Sequence, residues 1–438
     1  MQAGFSREKI TPPLGTMMMG SSRRDRGGGC DSIHDDLFVR ALYLAHEGEE
    51  ALIVSFDLLF LGRADADRFK GALGAATGLA ARQVLLATTH THASPSVGTW
   101  ARHGYLPPDE LYLQELQAAL LKAAGQAKDA PAEVGVRAGA GTTTLPMSRR
   151  RPGPDGKARF APYPDGVVHE ALSVVLLEDS AGRPVCAMVS ASCHPSIASG
   201  FEVSAEFPGV TCAALDEQLG APVSMFLQGV AGDAKPANSG RGRERWAYND
   251  WSLVDQAGRT LAQEAADVMA DSLARVQPEL RTAIVEERLP LAGPPSRREF
   301  DAIAKDYRAD ISPLDQDLRV LWAHRQLELL DRRGRLADSV GILVQGVQLG
   351  QGLRLVAIEG EPVAELGPCV EGAFGGGLTI PLGYANGQGL YLPVSHMLPE
   401  GGYEVESFFE YELPAPLAEG AEVGVGRAVE RLKAQGIG

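Results

Sequence analysis

Apolar residues run almost unbroken from Ala51 to Phe60, ALIVSFDLLF, which predicts a strand buried on both faces. A helical pattern follows near 64–79, and a second strand at 84–87 leads straight into Thr88-Thr89-His90-Thr91-His92. This is a strand–helix–strand unit with polar residues at the end of its second strand, where ligand sites gather in open α/β sheets. Leu113, Leu116, Leu120 and Ala123 recur at spacings of three and four, predicting a helix over 108–126 with Pro108 at its start. Strands are expected at 132–138, 172–178 and 185–192. Between them Ser148-Arg149-Arg150-Arg151-Pro152-Gly153-Pro154-Asp155-Gly156 reads as a basic, turn-rich loop. A helix near 208–219 precedes a strand at 223–227, and a helix over 251–274 carries Asp250 as its cap and Leu253, Ala257, Leu261, Ala265, Val268 and Leu273 on one face. Residues 297–335 are highly charged yet helical in pattern, with Leu314, Leu318, Leu321, Trp322 and Leu329 as an apolar stripe. They are expected to form a helical insertion at about 295–337. Strands return at 341–349 and 352–358, followed by a helix from about Glu361, an ordered Gly/Tyr/Pro-rich loop region over 380–411 and a closing helix at 423–432. With no repeat and no linker, the pattern predicts an α/β fold: a mixed sheet core with flanking helices in one large domain.

Charge and composition narrow the function. The 41 Lys and Arg against 56 Asp and Glu leave a net charge of −15, which argues against a nucleic-acid partner. No apolar stretch approaches the roughly 18 residues of a membrane span. The first residues lack the basic head and apolar centre of a signal peptide, so a cytoplasmic protein acting on a small molecule, with no membrane partner, is expected. The oligomeric state cannot be read. Five cysteines (Cys30, Cys186, Cys193, Cys212 and Cys369) form no C-x-x-C pair, which argues against a disulfide framework or zinc knuckle.

Four features carry candidate chemistry. In an extended chain His90 and His92 share a face, so both imidazoles can enter one pocket, and imidazole is the commonest ligand of catalytic zinc. His194 leaves an apolar strand at Pro195. Cys193 beside it would face the other way and is expected to be structural. The acidic turn Ile358-Glu359-Gly360-Glu361-Pro362 offers a carboxylate to complete a two-histidine, one-glutamate zinc set. The loops Gly383-Tyr384-Ala385-Asn386-Gly387-Gln388-Gly389-Leu390-Tyr391 and Gly401-Gly402-Tyr403 can place phenol groups in a pocket. The bland alternatives are strand-end hydrogen bonding for the histidines, an exposed helix-start acid, and aromatic packing for the tyrosines.

The order and wording of these motifs resemble the neutral/alkaline (non-lysosomal) ceramidase family. The resemblance runs from Gly4-Phe5-Ser6-Arg7-Glu8-Lys9-Ile10-Thr11-Pro12 through Ile33-His34-Asp35-Asp36-Leu37 and Thr89-His90-Thr91-His92-Ala93-Ser94-Pro95. It continues through Ser192-Cys193-His194-Pro195, Gly232-Asp233-Ala234-Lys235-Pro236, Gly360-Glu361 and Asn386 to Tyr391, spanning about residues 4–410. It implies one catalytic zinc held by His90, His194, Glu361 and Tyr391, with Tyr384 as the competing tyrosine. His92 would move the proton to the leaving amine, and Tyr391 or Tyr403 would stabilise the oxyanion. Arg149 would hold the polar part of the substrate, with Arg150 close enough to compete for that role. The implied activity is zinc-dependent hydrolysis of an amide bond by activated water.

Two departures bear on the substrate. The family carries a serine in a G-D-x-S-P motif, where this chain has Lys235, and it extends into an immunoglobulin-like C-terminal domain, for which a chain ending at Gly438 leaves no room. Both point away from ceramide and towards a small polar or acidic substrate, met by Lys235 and Arg149–Arg151; the competing expectation pairs Lys235 with Asp233 or Glu206. Two other readings of the same residues are an ester or lactone substrate, or a cyclisation or elimination, and a non-catalytic protein that binds metal or ligand on this fold.

Overall fold

The computed structural model describes residues 1–20, 28–95, 97, 109–311, 316–387 and 389–438. Pro108, Leu314 and Gln388, named above, lie outside the described residues. The larger sheet is mixed. Its strands run in the order Ser224–Gln228, Pro184–Ala191, Ala171–Asp179, Ala132–Thr142, Gln2–Lys9, Phe38–His46, Glu49–Phe56 and Val84–Thr88, with Ala274–Val276 also pairing to Ala132–Thr142. The pairing is parallel at its two ends, between Glu49–Phe56 and Val84–Thr88 and between Pro184–Ala191 and Ser224–Gln228, and antiparallel between. A second sheet holds Pro278–Pro290, Ser339–Gly350, Leu353–Ile358 and Leu378–Leu382.

The apolar run Ala51–Val54, in a strand that ends at Phe56 rather than Phe60, has a direct cause. Leu52, Val54 and Phe56 pack under the helices Arg63–Thr77 and Glu110–Asp129, while Ala51 and Ile53 pack against the second sheet through Val347, Leu355 and Leu382. Strands covered on both faces cannot alternate apolar and polar residues. The helices Glu206–Leu219 and Trp251–Asp271 cover the other half of the first sheet around Phe207, Phe226 and Leu261, and Ala421–Ala434 covers the outer face of the second. The result is helix, sheet, sheet, helix in layers, a mixed α/β architecture.

The helix over 251–271 starts where its cap was expected, Asp250 accepting from the Ser252 amide. Asp109 caps the helix Glu110–Asp129 in the same way. Helices Arg297–Ile303 and Leu318–Arg333 lie between the paired strands Pro278–Pro290 and Ser339–Gly350, with Phe300 and Trp322 at their shared core. Three expectations change. The basic stretch at 148–156 is a strand through Pro152, paired to Ala234–Pro236 and Ala158–Tyr163. Glu361 starts no helix but pairs in parallel with Tyr391, and the helix begins only at Leu366. The region 380–411 contains the end of the strand Leu378–Leu382, the short strand Tyr391–Leu392 and the short helix Tyr403–Glu406. Among the described residues no helix is long and apolar enough to cross a membrane.

Candidate metal centre

The two parallel ends of the large sheet meet, and the histidines stand at their carboxyl ends. Ser55 Oγ donates to Phe226 O at 2.7 Å, and the Gln228 amide donates to Cys193 O at 2.7 Å and to Thr89 O at 3.3 Å. Gln228 thereby ties the His90 segment to the His194 segment. No sequence pattern singled it out, because only the closing of the sheet gives it two partners.

His90 and His92 do meet, but not by strand alternation. The strand stops at Thr88, and His90 turns into the left-handed region at φ 63°. Such a backbone in a residue with a Cβ costs on the order of 1–3 kcal/mol and persists only where the surroundings hold it. Here they do: His90 Nδ1 donates to Leu59 O at 2.7 Å, and the His92 amide donates to Pro195 O at 2.9 Å. His92 Nδ1 donates to Gly20 O at 2.5 Å, and His194 Nδ1 to Ala231 O at 2.6 Å. With all three Nδ1 atoms committed to carbonyls, each ring is left with its Nε2 turned to the centre, an acceptor when the ring is unprotonated.

Those Nε2 atoms converge. His92 Nε2 lies 3.3 Å from His90 Nε2, and Glu361 Oε2 lies 3.4 Å from His90 Nε2 and 3.1 Å from His194 Nε2. The three histidines form a group able to hold a metal ion. Glu361 reaches it from a turn with little freedom. A Cβ on Gly360, at φ +97°, would stand 2.7 Å from Leu390 O, and one on Gly232 would stand 2.6 Å from Glu361 O. The Gly232-Asp233 turn grips the segment after Glu361: the Gly232 amide donates to Pro362 O at 2.8 Å, and Asp233 Oδ1 accepts from the Ala364 amide at 2.8 Å. The Tyr411 hydroxyl donates to Glu361 Oε1 at 2.8 Å.

The tyrosines separate by position. Tyr391 places its hydroxyl 3.4 Å from His194 Nε2. Tyr384 instead packs its ring on His90, centroids 4.2 Å apart, and its buried hydroxyl has no hydrogen-bond partner. Tyr403 donates its hydroxyl to Glu410 at 3.1 Å while its ring packs against Tyr391. The arginines also separate. Arg150 is spent on Glu404, Glu400 and Gly401 O. Arg149 shares Glu404 through Nε at 2.7 Å and lies over the Tyr391 and Tyr403 rings. Glu404, which holds both arginines, was not recognised in the sequence. Lys235 is buried and makes no ion pair with Asp233 or Glu206; it donates to Ser196 O at 3.1 Å and lies over Tyr248.

Burial and then the Arg149 charge hold His194 down to about 3, and burial with His90 beside it holds His92 well below its ordinary value. Burial opposes ionisation of Glu361, yet the adjacent His90 and His194 hold its carboxyl well below the usual range. His92 and His194 are thereby kept from protonating and Glu361 is kept ionised, the states in which these groups bind metal. Burial raises the Tyr384, Tyr391 and Tyr411 phenols well above 10. Cys193 is buried with its thiol pushed well up, so it is inert packing.

No protein-family model and no curated protein matches the chain by sequence. Solved structures do match. Neutral ceramidase from Pseudomonas aeruginosa aligns over 99% of this chain and 74% of its own, with a TM-score of 0.75 and 17% identity. The fold is that of a neutral ceramidase. A ceramidase complexed with C2 aligns over 99% of this chain and 75% of its own, with a TM-score of 0.74 and 16% identity. In this chain's version of the ceramidase fold, the histidines and Glu361 stand where the two sheet ends close.

Proposed function

We propose that this chain is a zinc-dependent hydrolase of amide bonds in small polar substrates. The observation that carries the reading is the convergence of His90, His92 and His194 Nε2 lone pairs with the Glu361 carboxylate. His90 and His194 Nε2 lie 3.4 and 3.1 Å from the same Glu361 oxygen, the spacing that ligands of one small cation keep. The residues fit zinc: nitrogen donors with a single carboxylate suit that ion, and each ring is oriented by a carbonyl behind it. His90, His194 and Glu361 would hold it, with Tyr391 as the fourth group beside His194. When bound, zinc supplies Lewis acidity and a water activated near neutral pH. The chain's own groups do the rest. His92, neutral and fixed by Gly20 O, is set to carry a proton to the departing amine. The Tyr391 phenol, kept protonated by burial, is set to donate to a developing oxyanion if it is not itself a ligand. Amide hydrolysis is the reaction named by the ceramidases that share the fold, and the acidic chain favours a small-molecule substrate over a nucleic acid.

The test is metal content and turnover together, on a panel of N-acyl amides with esters and lactones as the competing substrates. Chelation should abolish amide cleavage and zinc should restore it. His194→Ala should lose more zinc than His90→Ala, because His92 stands beside His90 as a substitute. His92→Ala should keep zinc and lose rate. Full zinc and full turnover in His194→Ala would remove the centre from this reading.

A further inference from the structure

Two buried cations stand together beside the histidine cluster with donors unspent. Arg149 is 3% exposed; its Nε is taken by Glu404, and its Nη2 has no hydrogen-bond partner among the described residues. Lys235 is 2% exposed; its ammonium has three donors and among the described residues makes one hydrogen bond, to Ser196 O at 3.1 Å, with no ion pair. Both face the same ring, Arg149 Cζ 5.0 Å and Lys235 Nζ 5.8 Å from the Phe160 centroid. Lys235 also lies 4.5 Å from the Tyr248 centroid, and Arg149 lies 5.6 Å from that of Tyr403. Phe160, Tyr248 and Tyr403 are the exposed side of this group, at 47%, 44% and 38%. Tyr391, under Arg149 and 3.4 Å from His194, joins it to the metal centre.

The internal acids meet this charge only in part. Glu404 is divided between Arg149 and Arg150. Glu206 turns its Oε1 to the Ala198 amide at 2.6 Å and forms no bond to Lys235, and burial raises its carboxyl to about 7. A buried cation held without an ion pair, as Lys235 is among the described residues, is costly, and rings above it supply only part of the compensation. A carboxylate, with two acceptor oxygens, answers both unspent donors at once.

We propose that Arg149 and Lys235 together bind a carboxylate of the substrate, so that the amide cleaved belongs to an N-acyl amino acid or a similar acid. This rests on the hydrolase reading above. Phe160, Tyr248 and Tyr403 flank the apolar part of the same molecule. Lys235 is then a specificity residue.

The test compares N-hexanoylglycine with N-hexanoylethanolamine, which replaces the carboxylate with a hydroxyl. The zinc-loaded protein should prefer the acid at least tenfold in kcat/KM. Lys235→Met should reduce that preference tenfold or more, and Lys235→Arg should keep it, with folding matched by circular dichroism. An unchanged preference in Lys235→Met overturns the proposal. N-hexylsuccinamic acid against N-hexylbutanamide asks the same question with the acid on the acyl half, and a preference there sets the carboxylate on that side. Calorimetric titration of N-hexanoylglycine into chelator-treated protein reads the subsite without metal or turnover. Binding weakened tenfold by Lys235→Met but not by Lys235→Arg supports the proposal, and equal binding by all three proteins overturns it. If neither amide is cleaved yet binding responds to Lys235, the hydrolase reading fails and the subsite stands. If amides are cleaved without preference for the acid, the reverse holds.

Discussion

Glu361 is held from behind by Tyr411, a residue that would support the proposed metal site without touching the ion. The Tyr411 hydroxyl donates to Oε1 at 2.8 Å, while Oε2 faces His90 and His194. Removing a group that orients a ligand typically costs ~10–100-fold in metal affinity or activity. Tyr411→Phe should therefore lower zinc affinity by about that factor, measured by competition against a chelator, with the fold unchanged by circular dichroism. Affinity equal to the wild type would show that Glu361 needs no such support. Nothing in Ser407-Phe408-Phe409-Glu410-Tyr411 signals this role. His90, His194 and Glu361, by contrast, were legible because each sits at a strand end or sharp turn in a recognisable motif.

At the scale of elements, charged stretches mislead when their partners are far along the chain. Arg149 and Arg150 belong to a strand, buried, because Glu404 on the short helix Tyr403–Glu406 takes one guanidinium with each oxygen. Glu404→Gln leaves two buried cations facing a neutral amide. Breaking such a pair typically costs about 3–5 kcal/mol, and Arg150 keeps Glu400 and Gly401 O, so the loss should fall towards the lower end of that range. Urea unfolding measures it; a change within ~0.5 kcal/mol, the size of an ordinary surface substitution, would deny Glu404 this part. The charged helical insertion works the same way. Trp322 Nε1 donates to Leu413 O at 2.8 Å, Gln326 donates to Glu412 O at 3.1 Å, and Trp322 packs on Phe408 and Phe409. The insertion thereby fixes the turn that carries Tyr411 to Glu361.

Across the whole molecule, burial of Lys235 couples the site to stability. Burial, then the charge of Arg149, brings its amine down to about 7, against 10.5 for an ordinary lysine. Between those values the unfolded chain binds a proton that the folded chain does not, so this lysine's contribution to stability rises with pH. Its cost is complete below pH 7 and is relieved towards pH 10. Relative to Lys235→Met, the wild type should gain stability between pH 7 and 9.5, read from urea midpoints in chelator; parallel pH profiles would contradict it. The linear pattern by itself determined the buried strands and their covering helices: Ala51–Val54 is apolar because both faces are covered, and helical spacings mark the helices. It also determined which strand ends carry imidazole and carboxylate, since motif spacing is a local property. Only the tertiary structure decided what those groups face. The left-handed turn at His90, the Gln228 bridge between the sheet ends, the Tyr411 hydrogen bond and the burial of Lys235 without an acid each join residues distant in sequence. Their energies come from packing and desolvation, which exist only once the two sheets have closed on each other.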